Sequence, residues 1–222
     1  VEIDGYGTFE GYPNRDSLQY RSVYGLQEIP TMLRGTLRKA GFCKSWNHFI
    51  QLGITDDSYT LADSENMTYR EFLNTFMPFN NTKTVEEKFS EFIGEPLDGV
   101  EIQKMTWLGL FEDKKIGLKT ATPAQVLQQI LEEKWTLAKG DKDMIVMQHL
   151  FEYQLDGKQE SLTSSLVIMG DDTDNTAMAK GVGLPMAIAC KLILKGEIKL
   201  TGVHIPTQKN LYEPILAELE AM

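Results

Sequence analysis

Apolar and polar positions follow two different periods along this chain, and the period changes twice. From Gly41 the spacing is helical: Phe42, Trp46, Phe49 and Ile50 recur along one face, with Gly53 where a C-terminal stop is expected. Three more helix starts carry a capping-box signature, a threonine followed three residues later by Glu or Gln. Thr68 and Glu71 precede Phe72, Leu73 and Phe76; Thr84 and Glu87 precede Phe89, Phe92 and Ile93. Thr122 and Gln125, with Pro123 at the favoured first helical position, precede Val126, Leu127, Ile130, Leu131 and Trp135. A further helix is expected over 98–111, around Met105, Leu108 and Leu110.

On both sides of this region the pattern reads as strand. Val1, Ile3, Tyr6 and Phe9 give weak extended signals, Leu18 to Tyr24 is β-type, and Thr31–Arg38 reads as a strand set up by Pro30. Met144–Leu155 and Ser161–Met169 are strand-like and flank Asp156-Gly157, a strong hairpin signal. Leu184–Leu194 reads as a helix opened by Pro185 and stopped by Gly196; it is apolar on most sides, so it is expected between layers. A short strand near Ile198–Val203 and an amphipathic helix over Tyr212–Met222 close the chain.

The fold class is therefore α+β. One α/β substrate-type domain is expected over 1–40 and 140–222, its mixed or antiparallel sheet built from the hairpin and the strand at 31–38. An all-α insertion is expected over 41–139.

Composition narrows the function. A formal net charge of −10 over 222 residues argues against nonspecific nucleic-acid binding and against an anionic membrane surface, both of which need basic surface. No uninterrupted apolar run approaches the ~20 residues of a membrane helix, and no signal peptide is read. Cys43 and Cys190 sit in apolar helical patterns, so buried free thiols and a reducing, cytoplasmic setting are expected. The opening Val-Glu-Ile-Asp-Gly reads as a chain already inside a strand or hairpin, and a fragment of a longer protein is expected.

Candidate chemistry centres on Arg34, flanked by Met32 and Leu33 and followed by Gly35. A cation among apolar neighbours needs an anion. A substrate carboxylate fits the guanidinium fork; an internal salt bridge is the more ordinary alternative on these residues alone. Arg15, Arg21 and Arg38 lie in the same N-terminal stretch.

Other signatures fall short. Gly181-Val-Gly183 continues to Met186, and Gly5-Tyr-Gly7 to Glu10, so neither makes a dinucleotide fingerprint and no cofactor site is expected in this chain. His48, His149 and His204 lack metal-ligand spacing, so no metal is expected. Asp171–Asn175 starts like a calcium loop, but the turn glycine is replaced by Ala177 and the final glutamate by Gly183, which leaves a loop and helix cap. No Gly-x-Ser-x-Gly occurs around any serine.

Several stretches, taken in order, resemble the saccharopine dehydrogenase family. They are Gly11-Tyr-Pro-Asn-Arg-Asp-Ser17, Thr31-Met-Leu-Arg-Gly-Thr-Leu-Arg38 with Gly41-Phe42, Asp143-Met-Ile-Val-Met-Gln-His149, and Gly170-Asp171 through Ala177-Met-Ala-Lys180 to Gly183-Leu-Pro185. The resemblance implies a Rossmann domain joined to a substrate domain of the glyceraldehyde-3-phosphate dehydrogenase C-terminal type, with an all-α insertion. This chain matches the part that follows the Rossmann domain, and 185–222 would pack back onto it.

The family oxidises or forms the secondary amine of saccharopine, a CH–NH bond in lysine metabolism, using NAD or NADP. The resemblance implies that Arg34 binds a substrate carboxylate with Met32 and Leu33 beside it. Saccharopine's carboxylates and amines call for cations and oxygen acceptors. Arg15 is the candidate second cation; Thr176, Asp16 and Asp57 are candidate acceptors. Family members are expected to pair as homodimers, and the isolated fragment is expected to be inactive. The chain departs from the family at Lys39, where an aromatic is common, and at Asp174-Asn175, where Gly-Tyr is common before Thr176. The rival reading is a non-catalytic module that uses the hairpin to dimerise or to bind a partner.

Overall fold

Local hydrogen bonding decides most of the elements in a computed structural model that describes residues 1–222. The chain divides into two units, one of residues 1–38 with 137–222 and one of residues 39–136.

In the first unit, β1 (Glu2–Ile3) pairs antiparallel with β2 (Gly7–Pro13), with Glu2 opposite Thr8 and Ile3 opposite Gly7. β3 (Gly35–Lys39) lies on the other side of β2. Gly35 has a steric reason: a Cβ there would stand 3.0 Å from the Tyr12 carbonyl oxygen.

Two expectations are corrected here. The strand expected at 31–38 begins only at Gly35, because the Arg34 backbone turns to other partners. The β-type stretch Leu18–Tyr24 contains instead a one-turn helix, α1 (Tyr20–Val23). Asp16 Oδ1 accepts the Leu18 N–H at 2.9 Å, and the Ser17 and Leu18 carbonyls accept from Tyr20 and Arg21, which starts a turn that propensity alone does not reveal.

β4 (Met144–Leu155) and β5 (Lys158–Met169) form an uninterrupted antiparallel hairpin, from Met144 opposite Met169 to Leu155 opposite Lys158. Asp156 and Gly157 both have positive φ, 51° and 76°, the geometry of a two-residue hairpin turn. This hairpin is a two-stranded sheet of its own, so the expected single sheet with residues 31–38 is not formed. A 3.4 Å hydrogen bond from Gln148 Nε2 to the Glu2 carbonyl runs from it to β1. Toward its tip the hairpin is bare of packing, with Leu150 67% exposed.

The first helix after the hairpin, seventh in the chain, is α7 (Ala177–Leu194), and α8 (Lys209–Glu220) follows it. Pro185 is inside α7, not at its start. The helix opens eight residues earlier because Thr176 and Asp143 supply acceptors for its first N–H groups. Nor is α7 sandwiched: Ile188 and Leu192 pack with Ile198 and Ile215, while Leu194 is 88% exposed and Cys190 is exposed rather than buried. By length and composition alone this 18-residue helix is apolar enough to cross a membrane, which the sequence reading did not anticipate. Ile198–Val203 forms no strand; Ile198 plugs the small core instead.

The second unit is helical: α2 (Phe42–Leu52), α3 (Tyr69–Thr75), α4 (Val85–Ile93), α5 (Val100–Leu108) and α6 (Pro123–Trp135). All three capping boxes are made, at Thr68, Thr84 and Thr122. Phe72, Leu73, Phe89, Met105, Leu110 and Ile130 form its buried centre. A buried carboxylate, Glu101, is met by Lys104 Nζ at 2.8 Å and Ser45 Oγ at 2.6 Å. Tyr69, also buried, donates to Glu133 at 2.8 Å and accepts from Gln129 at 2.9 Å.

Candidate substrate-carboxylate site

Arg34 ends a loop that folds back on β2 and β3. Its N–H donates to the buried Ser17 Oγ at 3.0 Å, and its carbonyl accepts from the Asn14 N–H at 3.0 Å. Asn14 Nδ2 reaches Thr36 Oγ1 at 3.1 Å, tying the same loop to β3. Arg21 Nη2 closes the loop from the far side by donating to the Pro30 carbonyl at 3.2 Å. The backbone at Arg34 is therefore held from both directions.

The side chain is exposed, not turned into a core. Leu33, expected beside it, is 79% exposed, and Met32 is half-buried. The guanidinium makes no ion pair with any acid of the chain. It lies over the Tyr20 ring, 5.4 Å from Cζ to the centroid, and Nη1 donates to the Tyr20 hydroxyl at 3.4 Å. Tyr20 in turn stacks on Tyr24, with ring centroids 5.9 Å apart and 18° between planes. Burial of an unpaired charge is thus avoided by leaving it in water against an aromatic face. The fork keeps most of its five N–H donors for an outside oxygen anion.

The other candidates do not gather round it. Arg15 is exposed, with left-handed backbone (φ 58°), and forms no ion pair. Asp16 spends its carboxylate on the Leu18 N–H. Asp57 belongs to the helical unit. Thr176 is the N-cap of α7, its Oγ1 accepting from the Ala179 N–H at 3.0 Å. Asp143 takes the next two donors of that helix, Ala177 at 2.6 Å and Met178 at 3.0 Å. Some burial pushes the Asp143 carboxyl up, but those two N–H groups outweigh it and hold the carboxyl below the usual range. The positive end of α7 is thereby already neutralised from within the chain.

No hydrogen bond or ion pair links Thr176 to Arg34 or Arg15. Sequence reasoning missed Tyr20; its one signal was the four-residue spacing to Tyr24.

The glycine pairs do not fit a dinucleotide. Gly5 and Gly7 shape the turn from β1 to β2, and Gly181 and Gly183 lie inside α7. At Gly181 a Cβ would stand 3.4 Å from Ile168 and 3.5 Å from Ile145, so this glycine serves the packing of α7 on the hairpin. Asp172, in the calcium-like loop, turns inward to accept from the N–H groups of Asp174 and Asn175. Cavities of about 450 Å³ and 260 Å³ lie in the helical unit, sharing Trp46, Leu131 and Trp135 as wall; neither includes a predicted site residue.

The family model described as saccharopine dehydrogenase C-terminal domain matches residues 1–222. Bovine mitochondrial alpha-aminoadipic semialdehyde synthase is 35% identical over 218 residues, covering 96% of this chain and 23% of that protein. Saccharopine dehydrogenase [NADP(+), L-glutamate-forming] of Saccharomyces cerevisiae is 32% identical over 223 residues, covering 97% of this chain and 49% of that protein. The solved apo structure of a histidine-tagged saccharopine dehydrogenase (L-Glu forming) from Saccharomyces cerevisiae superposes with a TM-score of 0.83 at 31% identity, over 100% of this chain and 51% of the other. The chain thus spans about a quarter of the mammalian relative and half of the fungal one. Similarity that runs from the first residue to the last, in sequence and in fold alike, makes this chain a member of the saccharopine dehydrogenase family, as its C-terminal domain.

Proposed function

We propose that this chain is the substrate-binding portion of an NADP-dependent oxidoreductase acting on the CH–NH bond of saccharopine, and that Arg34 receives a substrate carboxylate. One observation carries the reading. The Arg34 guanidinium is anchored by its backbone and Tyr20, exposed, and unpaired in a chain with 32 acidic residues. A guanidinium held but not neutralised is a ready carboxylate receptor. The fungal relatives carry NADP(+) in their names, and lysine-pathway chemistry of this kind needs a nicotinamide to carry the hydride. This chain's part is to bind and orient, with Met32 and Leu33 beside Arg34, and with Arg15 and Thr176 as further substrate contacts.

The substrate unit is taken to be of the glyceraldehyde-3-phosphate dehydrogenase C-terminal type. Residues 185–222 dock on a nucleotide-binding domain elsewhere in the full-length protein, and the whole works in the cytoplasm. In that full-length protein, Arg34→Ala should raise KM for saccharopine ~10- to 100-fold, the cost of losing charge-assisted hydrogen bonds. An unchanged KM refutes the assignment. The 222-residue chain alone should form no NADPH from saccharopine.

A second reading is favoured by the hairpin, whose Leu150, Phe151, Tyr153 and Leu162 stand exposed on a sheet with two open edges. In this reading β4 and β5 pair two copies into a homodimer. Sedimentation of Leu150→Lys against wild type tests it, and an unchanged mass excludes it.

A further inference from the structure

The Arg34 side chain has one partner in this chain, and that partner does two things at once. Tyr20 offers its ring face to the guanidinium and its hydroxyl to Nη1. Tyr20 is itself fixed. Its N–H donates to the Ser17 carbonyl at 3.1 Å, and its ring is stacked on Tyr24. Ser17 also takes the Arg34 N–H through its Oγ. Backbone and side chain of Arg34 are therefore referenced to the same short turn, 17–24. An unrestrained arginine samples many rotamers, and a ligand must pay to order them.

We propose that Tyr20 is the positioning residue for Arg34, holding the guanidinium in its outward pose before substrate arrives. With Nη1 turned to the Tyr20 hydroxyl and the ring beneath, the remaining N–H groups of the fork stay open to a carboxylate. In this assignment the effect of Tyr20 on binding runs through its contact with Arg34. This rests on the reading of Arg34 as carboxylate receptor.

The test uses the full-length enzyme with saccharopine. Tyr20→Leu should raise KM about five- to tenfold with kcat within about twofold. Tyr20→Phe keeps the ring and should hold KM within about threefold of wild type. In an Arg34→Ala background Tyr20→Leu should change KM no further, a non-additivity that a merely structural role does not give. Wild-type KM in Tyr20→Leu, with a raised KM in Arg34→Ala, overturns the positioning role and leaves the receptor intact. Wild-type KM in Arg34→Ala sinks both. Nuclear magnetic resonance of the wild-type protein gives a reading that needs no folded Tyr20 variant. The Arg34 Nε–H signal, identified by its loss in Arg34→Lys, should be shifted upfield by the Tyr20 ring; a signal at the free-arginine position overturns the proposal.

Discussion

The Asp143 carboxylate occupies the place where a side chain on Gly170 would begin: a Cβ built there overlaps Asp143 Oδ1. The two residues flank the open end of the hairpin, Asp143 just before β4 and Gly170 just after β5, and the Gly170 N–H donates to the Asp143 carbonyl at 2.9 Å. The carboxylate continues outward to the first N–H groups of α7. One missing side chain thus lets a single aspartate tie two strands and a helix together.

Gly170→Ala removes that space. The new methyl group would also lie 3.0 Å from the Ala177 backbone nitrogen, so backbone as well as side chain must move. We expect a loss of about 1–3 kcal/mol, the usual cost of overpacking, read as a lower urea midpoint. A midpoint equal to wild type would show that the end of the hairpin yields freely.

The helical unit should weaken in acid. Arg70 holds Glu86 below its ordinary range through two hydrogen bonds of 2.8 and 2.9 Å. Burial pushes Glu101 and Glu133 up, but hydrogen bonds from Lys104 and Ser45, and from Lys114 and Tyr69, outweigh it and bring both below that range. These carboxyls ionise more readily folded than unfolded. Their stabilisation is complete above the unfolded value and is lost as pH falls through the lower folded values. Urea titrations at pH 7, 4.5 and 3 should show stability falling mainly below 4.5. Glu101→Gln should flatten that fall; an identical profile in the variant would exclude Glu101 as a contributor.

Removing the Tyr69 hydroxyl strands two partners. Tyr69→Phe leaves Glu133 without one donor and Gln129 Nε2 without one acceptor, at a position 1% exposed. The expected loss is about 1–2 kcal/mol. Thermal unfolding followed by circular dichroism checks it, and a melting temperature equal to wild type argues that water replaces the hydroxyl.

The first half of α7 should exchange its amide hydrogens faster than the second. Gly181, Gly183 and Pro185 fall in 177–186, and Pro185 has no N–H to return to the Gly181 carbonyl. Ile188 and Leu192 anchor the second half in a core. Mass-spectrometric exchange should resolve the two halves; equal protection would mean that packing on the hairpin compensates for the weak backbone.

The parts legible in the sequence were those whose causes lie within a few residues. The capping boxes at Thr68, Thr84 and Thr122 are spacings of three, and the Asp156-Gly157 turn is a dipeptide. The misreadings come from distant partners. The true start of α7 leaves no local signal at one of its acceptors, Asp143, which is more than thirty residues away. Thr31–Arg38 reads as a strand set up by Pro30, whereas Ser17 and Asn14 claim the backbone groups of Arg34. Ile198 fills a core position outside any strand, and a core plug and a strand residue are equally apolar in sequence. At the site, the arginine was visible as a residue type out of place; the tyrosine beneath it was not, since contact across fourteen positions leaves no local trace.

The helical unit begins at Lys39 and ends at Thr136, and the rings of Phe42 and Trp135, a few residues inside those limits, lie 6.5 Å apart. Its entrance and its exit are neighbours. The unit is therefore closed on itself, its first and last helices in ring contact however long the excursion between them. A unit closed on itself in this way can take up or lose residues in its interior turns while its first and last helices stay side by side.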